Sequence, residues 1–143
     1  MKLYMVPLAP NPTKVMLYIA EREELGVDMS IEQIVVNTVK GRHKEPEHLA
    51  RNPFGTVPAL ELDDGTYLVE SLAMIDFLED KFPNNTMYQG TPEEKGKARD
   101  MERVIDLRLG GPWGPLVMPL IHHWDVRQNR KKPPSIWSPC KHR

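Results

Sequence analysis

Asp63-Asp64-Gly65 separates two short apolar runs, residues 57–62 and 66–69. An Asp-Gly pair in that setting specifies two antiparallel strands joined by a tight hairpin. Val57-Pro58 opens the first run, and a proline at the start of a buried strand removes one ladder donor. The dipeptide has two readings. One is an ordinary trans proline; the other is a cis bond that turns the Val57 N–H and C=O outward, where they would pair with an extended peptide. Beyond the hairpin, Leu72, Ile75, Leu78 and Phe82 recur at helical spacing and predict a helix over 71–82 that stops before Pro83. Ser71 falls at its N-cap or first turn, where free N–H groups and the positive end of the dipole attract a carboxylate. Glu70 beside it can hold an ammonium. A plain helix cap with a solvated glutamate is the alternative reading of the same pair.

The residues before the hairpin form a second block. Residues 2–6 are short and β-prone, 13–25 carry Val15, Met16, Ile19 and Ala20 at helical spacing ahead of Gly26, and 30–39 are β-branched. Strand, helix and strand make a βαβ unit, so the first two strands should run parallel with the helix crossing over. Residues 40–51 are polar, with one irregular helical turn around Pro46-Glu47-His48-Leu49. The order is βαβαββα, a mixed four-stranded sheet in an α/β fold with helices on its faces.

A linker, 84–90, follows this first domain of 1–83. Thr91-Pro92-Glu93-Glu94 then combines an N-cap threonine, a proline at the first helical position and a capping-box glutamate. Met101, Val104, Ile105 and Arg108 lie on one stripe of the helix that starts there. Gly110-Gly111-Pro112-Trp113-Gly114-Pro115 should break or kink it before a shorter helix over 116–124. From Arg127 the chain has six Lys/Arg, no Asp/Glu and three prolines, so 125–143 reads as a disordered, basic, Pro-rich tail.

Several functional classes are disfavoured. A formal net charge of −1 gives no basis for a nucleic-acid or anionic-membrane partner. No window approaches the 18 apolar residues of a spanning helix and the N-terminus lacks a signal-peptide pattern, which predicts a soluble, cytoplasmic protein. The single cysteine, Cys140, cannot form an internal disulfide or a cysteine metal cage. His122 and His123 are adjacent and would point about 100° apart on a helix, so no metal site is expected.

The series Asn52-Pro53, Val57-Pro58-Ala59-Leu60, Asp64-Gly65, Leu68-Val69-Glu70-Ser71, Ala73-Met74-Ile75 and Phe77-Leu78 resembles the glutathione-site half of soluble glutathione transferases. Order and spacing agree over residues 1–83. The resemblance implies a thioredoxin-like fold with Pro58 preceded by a cis bond, Val57 pairing with the cysteinyl backbone of glutathione, and Glu70 and Ser71 holding its γ-glutamyl group. Gly41-Arg42-His43-Lys44-Glu45, with His43 nine residues before Asn52, is similar to the delta and theta-like branches. It implies that His43 binds the glycyl carboxylate.

Family members lower the thiol pKa of glutathione with a hydroxyl or thiol at the end of the first strand, because a hydrogen bond to the thiolate favours the charged nucleophile. Here the turn is Pro7-Leu8-Ala9-Pro10-Asn11-Pro12-Thr13-Lys14, and Pro10 stands where serine or cysteine would. Asn11 is then the catalytic candidate, through its side-chain amide or its backbone N–H, as in bacterial relatives with a similar Pro-Asn-x-x-Lys turn that also reduce disulfides. A turn former between two prolines is the other reading of Asn11. Thr13 is the second choice of donor, and Tyr4 belongs to the sheet.

The resemblance thus implies a glutathione-dependent transferase that conjugates the thiolate to small electrophiles in detoxification, or reduces glutathione mixed disulfides, with glutathione as co-substrate. Beyond residue 91 it implies an all-helical domain, of which this chain carries a truncated segment over 91–124. A homodimer, or a heterodimer with a full-length homologue, would cover the exposed apolar faces. The rival reading is a non-catalytic interaction or regulatory module.

Overall fold

The computed structural model describes residues 1–111 and divides the chain into two units, Met1–Gln89 and Gly90–Arg143. The first unit contains β1 (Lys2–Met5), α1 (Pro10–Glu24), β2 (Glu32–Val35), a 3₁₀ turn (Arg42–Lys44), α2 (Pro46–Arg51), β3 (Ala59–Glu61), β4 (Tyr67–Leu68) and α3 (Ser71–Lys81). The strands form one mixed sheet in the order β2-β1-β3-β4. β1 pairs with β2 in parallel and with β3 antiparallel, and β3 pairs with β4 antiparallel. This is the thioredoxin-like βαβαββα order that the resemblance implies, and Val57-Pro58 is cis.

Period-2 alternation along β1 divides the core between the sheet's two faces. Leu3 and Met5 join Val15, Ile19, Leu60, Met74 and Leu78 under α1 and α3, while Tyr4 joins Val36 and Ala59 on the other face. The buried stripe of α3 is Ser71, Met74, Ile75, Leu78 and Glu79. It is turned slightly from the Leu72-to-Phe82 face that spacing predicts, because Leu72 is only partly covered.

Several boundaries differ from expectation. α1 starts at Pro10 rather than Thr13, because prolines in a first turn replace N–H groups that have no intrahelical acceptor anyway. Its other end matches: Gly26, at φ 82°, closes it with Gly26 N–H to Glu23 O and Val27 N–H to Arg22 O. β2 covers only part of 30–39. Asp28 Oδ1 accepts from Ser30 at one end, and Asn37 Oδ1 accepts from Lys40 N–H at the other, so turns claim both flanks. β3 and β4 are shorter than their apolar runs because the hairpin takes residues 62–66, with Leu62 N–H bonded to Thr66 O and Gly65 at φ 82°.

In the second unit α4 spans Pro92–Ile105 behind the expected capping box: Glu94 N–H donates to Thr91 Oγ1 and Thr91 N–H to Glu94 Oε2. The helical backbone continues through Asp106–Gly110 as a π-turn and still holds at Gly111; the remainder of the 110–115 segment expected to break or kink it lies outside the described residues. The helix expected over 116–124, His122, His123, Cys140 and the tail of 125–143 lie outside the described residues.

Candidate functional site

Sheet topology brings the sequence candidates to one end. β1, β2 and β4 all point the same way, and β3 runs against them. The carboxyl ends of three strands and the start of β3 therefore share one edge. Asn11 follows β1, His43 follows β2, Val57 and Pro58 precede β3, and Glu70 and Ser71 follow β4. Ligands of open α/β sheets bind beyond the carboxyl ends of strands for the same reason: chain crossings open a crevice there and helix N-termini point into it.

The two helix starts at this edge differ chemically. In α3, Glu70 is the N-cap and its C=O takes Met74 N–H at 3.0 Å. The N–H groups of Ser71, Leu72 and Ala73 thus lie ahead of the first intrahelical bond, a ready anion cradle. Ser71 is buried and Glu70 exposed, so this helix start offers a covered hydroxyl beside a solvent-facing carboxylate. In α1, Pro10 and Pro12 have no N–H, and Thr13 N–H is already bonded to Ala9 O at 2.9 Å. Asn11, exposed, carries the one backbone N–H left ahead of that bond, so Thr13 has only its hydroxyl to offer. Just before it, Leu8 sits at φ 68° and is 94% exposed, a conformation uncommon for a bulky residue.

Tyr4 is a sheet residue, as expected. Its hydroxyl donates to Glu61 at 2.7 Å, the Arg51 guanidinium lies 4.2 Å from its ring centre, and burial, then the Glu61 bond, push its phenol up to about 12.

The His43 segment is seated on the turn that leads to Val57. Gly55 has φ 58°, and a Cβ there would lie 2.8 Å from Lys44 Nζ and 3.0 Å from the His43 carbonyl oxygen. Lys44 Nζ donates to Phe54 O at 3.3 Å. Glycine permits this approach and this φ without strain. His43 is partly buried, and its Nδ1 has no partner among the described residues. Burial, followed by the Lys44 and His48 charges, holds its pKa below the ordinary 6.5.

Two polar clusters escaped the sequence reading. Asn52, 0% exposed, donates Nδ2 to Thr56 O at 2.9 Å and to Thr56 Oγ1 at 3.0 Å, while its Oδ1 accepts Phe54 N–H at 3.1 Å. His48 Nε2, on a ring 2% exposed, bonds the same Thr56 carbonyl at 2.9 Å. Asn-Pro-Phe-Gly is an Asx-turn signature, so the Phe54 bond was legible; the shared carbonyl was not. At the far ends of the helices, Arg22 donates to Tyr18 Oη at 2.6 Å, Glu79 Oε1 at 2.9 Å, Phe82 O at 2.5 Å and Asn84 O at 2.7 Å. Glu79 Oε1 also accepts Met87 N–H at 2.9 Å. Burial and the Glu79 bond raise the Tyr18 phenol above its usual range.

A hollow of about 520 Å³ on the α2 side involves Tyr4, Ile34, Val36, Arg42, Glu45 and Arg51. Its arginines are already paired, Arg42 with Glu45 at 2.9 Å and Arg51 with Glu47 at 2.5 Å. None of the sequence candidates lines it. Among the described residues no group of three or more His, Cys, Asp or Glu is placed to hold a metal, and no helix is long and apolar enough to cross a membrane.

Comparison with known proteins agrees with this geometry. Residues 10–81 match the family model described as glutathione S-transferase, N-terminal domain. The chain is 38% identical to glutathione S-transferase 2 of Saccharomyces cerevisiae over 112 residues, which is 78% of this chain and 47% of that protein. It is 29% identical to maleylacetoacetate isomerase of Pseudomonas aeruginosa, covering 87% of this chain and 57% of the relative. Poplar glutathione transferase F1 superposes with a TM-score of 0.71 at 28% identity, over 83% of this chain and 54% of the other. The chain spans about half the length of the curated relatives it matches. Sheet order, the cis bond before Pro58 and the family match over 10–81 agree, and the chain belongs to the glutathione S-transferase family.

Proposed function

We propose that the chain binds glutathione at this edge of the sheet and uses its thiolate as a nucleophile. The observation that carries the proposal is the convergence of the α3 N-terminus, the Val57 backbone and the His43 turn at one sheet edge. Together they match a peptide with two carboxylates and an ammonium. The N–H groups of Ser71 to Ala73 and the Ser71 hydroxyl take the γ-glutamyl carboxylate, and Glu70 takes its ammonium. Among the described residues the Val57 N–H and C=O make no backbone bond, so they are available to the cysteinyl backbone as a sheet edge is. His43 meets the glycyl carboxylate with a ring N–H.

The cysteinyl sulfur then lies toward α1, where Asn11 supplies the hydrogen bond that favours thiolate over thiol. Two reactions are open to that thiolate. It adds to a small electrophile, forming a C–S bond, or it attacks the glutathionyl sulfur of a mixed disulfide, giving glutathione disulfide and releasing the other thiol as its thiolate. Thioredoxin-type chemistry has no support, because residues 7–14 contain no cysteine. The protein would act in the cytoplasm as a homodimer, or as a heterodimer with a longer homologue.

Pro10 favours a second reading, a non-catalytic transferase-like docking module, since proline can donate nothing to sulfur. A thermal melt of the 143-residue chain with and without millimolar glutathione separates the readings. Binding to the folded state adds about 2.7 kcal/mol at a hundred times the dissociation constant, so an upward shift is expected. An unshifted cooperative melt overturns the binding reading and leaves the docking module.

A further inference from the structure

We infer that Asn52 and His48 are positioning residues whose task is to aim the Val57 N–H into the crevice; the ligand arm of this inference rests on the glutathione reading above. The Thr56 C=O and the Val57 N–H belong to one planar peptide unit and point in opposite directions. Fixing the carbonyl therefore fixes the donor. Two buried side chains hold that carbonyl, Asn52 through Nδ2 and His48 through Nε2, each at 2.9 Å. Because a carbonyl can only accept, His48 donates through Nε2, and its Nδ1 has no partner among the described residues. Both acceptor directions of the oxygen are occupied. Rotating the peptide would strand two buried donors at once, a far larger penalty than losing one exposed bond.

The rest of the local geometry keeps the clamp in place. Asn52 N–H bonds to His48 O at 2.9 Å and Gly55 N–H to Asn52 O at 2.9 Å. The C-terminus of α2 and the turn before Val57 thus move as one piece. A turn former at Asn52 would need only the bond from Phe54 N–H; the second donor from His48 has no use in turn formation. It acts on the peptide that carries the Val57 N–H.

The test compares His48→Leu, His48→Gln and Asn52→Ala in the 143-residue chain, following the Val57 amide resonance without ligand and glutathione affinity by calorimetry. Gln can still donate to the Thr56 carbonyl. The expected result is a displaced Val57 resonance and about ten-fold weaker binding in His48→Leu and Asn52→Ala, and restoration of both in His48→Gln. A Val57 resonance that is the same in His48→Leu and His48→Gln overturns the inference, as does full affinity in His48→Leu. If the parent chain binds no glutathione, the functional reading falls while the Val57 resonance still decides the clamp.

Discussion

α1 and α3 pack side by side on one face of the sheet, and their two ends are built on opposite principles. At the C-terminal end, Arg22 and Glu79 are 0% and 4% exposed, pair at 2.9 Å, and draw in the carbonyls of Phe82 and Asn84. At the N-terminal end, Asn11 and Glu70 are exposed and the first N–H groups of α3 face no helical acceptor. A buried charge must be paired or it destabilises, and here both terminal nitrogens of Arg22 are paired while its Nε has no partner among the described residues, whereas a ligand site needs donors left over. One helix pair meets both demands by keeping them a helix length apart, so the closed end should govern stability and the open end binding.

The strongest way to break that comparison is at the closed end. Arg22→Met or Glu79→Leu should each lower unfolding free energy by about 3–5 kcal/mol in urea titrations, because each strands the partner's buried charge. The double variant Arg22→Met/Glu79→Leu should recover most of the loss. Single variants with changes below about 1 kcal/mol would mean that the ion pair does not close this end.

Gly55→Ala comes next, at about 1–2 kcal/mol for a side chain at φ 58°. The same substitution pushes the His43 carbonyl away and should weaken glutathione binding, linking turn geometry to the open end. At the open end itself, Ser71→Ala should weaken glutathione about ten-fold, roughly 1.4 kcal/mol, with a smaller change in the urea midpoint. A stability loss larger than the binding loss would erase the contrast. Asn11→Ala should lower turnover about five-fold while leaving glutathione affinity in place, on the order of 1 kcal/mol for one hydrogen bond; equal losses in both would remove Asn11 from the thiolate.

The smallest effect is a pH dependence. Burial lowers the His43 pKa in the folded chain below 6.5, so its contribution to stability is present above that unfolded value and lost as pH falls through the folded one. A glycyl carboxylate beside the ring would raise the pKa again, so glutathione affinity should increase as pH falls from about 8 toward 6. Stability and affinity then move in opposite directions. His43→Gln should flatten both slopes, and an unchanged affinity slope would separate His43 from the ligand.

Most elements were legible because their signals are local. Asp64-Gly65 sets the hairpin, Gly26 closes α1, and Thr91 with Glu94 opens α4 within a few residues of chain. The start of α1 was misplaced by three residues because Pro10 and Pro12 suppress a helical reading except in a first turn. Arg22 and Glu79 were unreadable as a pair, being 57 residues apart on different helices. Asn52 was visible as part of a motif, but nothing local shows that His48 shares its acceptor.

The sequence by itself determined the order of strands and helices, the turns between them and the residue types offered to a ligand, since those follow from backbone preferences and side-chain period. Tertiary structure alone decided which end of the sheet gathers Asn11, His43, Val57, Glu70 and Ser71, and that the Thr56 carbonyl is held from two sides. The physical reason is range. Propensity and turn chemistry act over a few residues, whereas strand direction, packing and buried hydrogen bonding join groups that the chain keeps far apart.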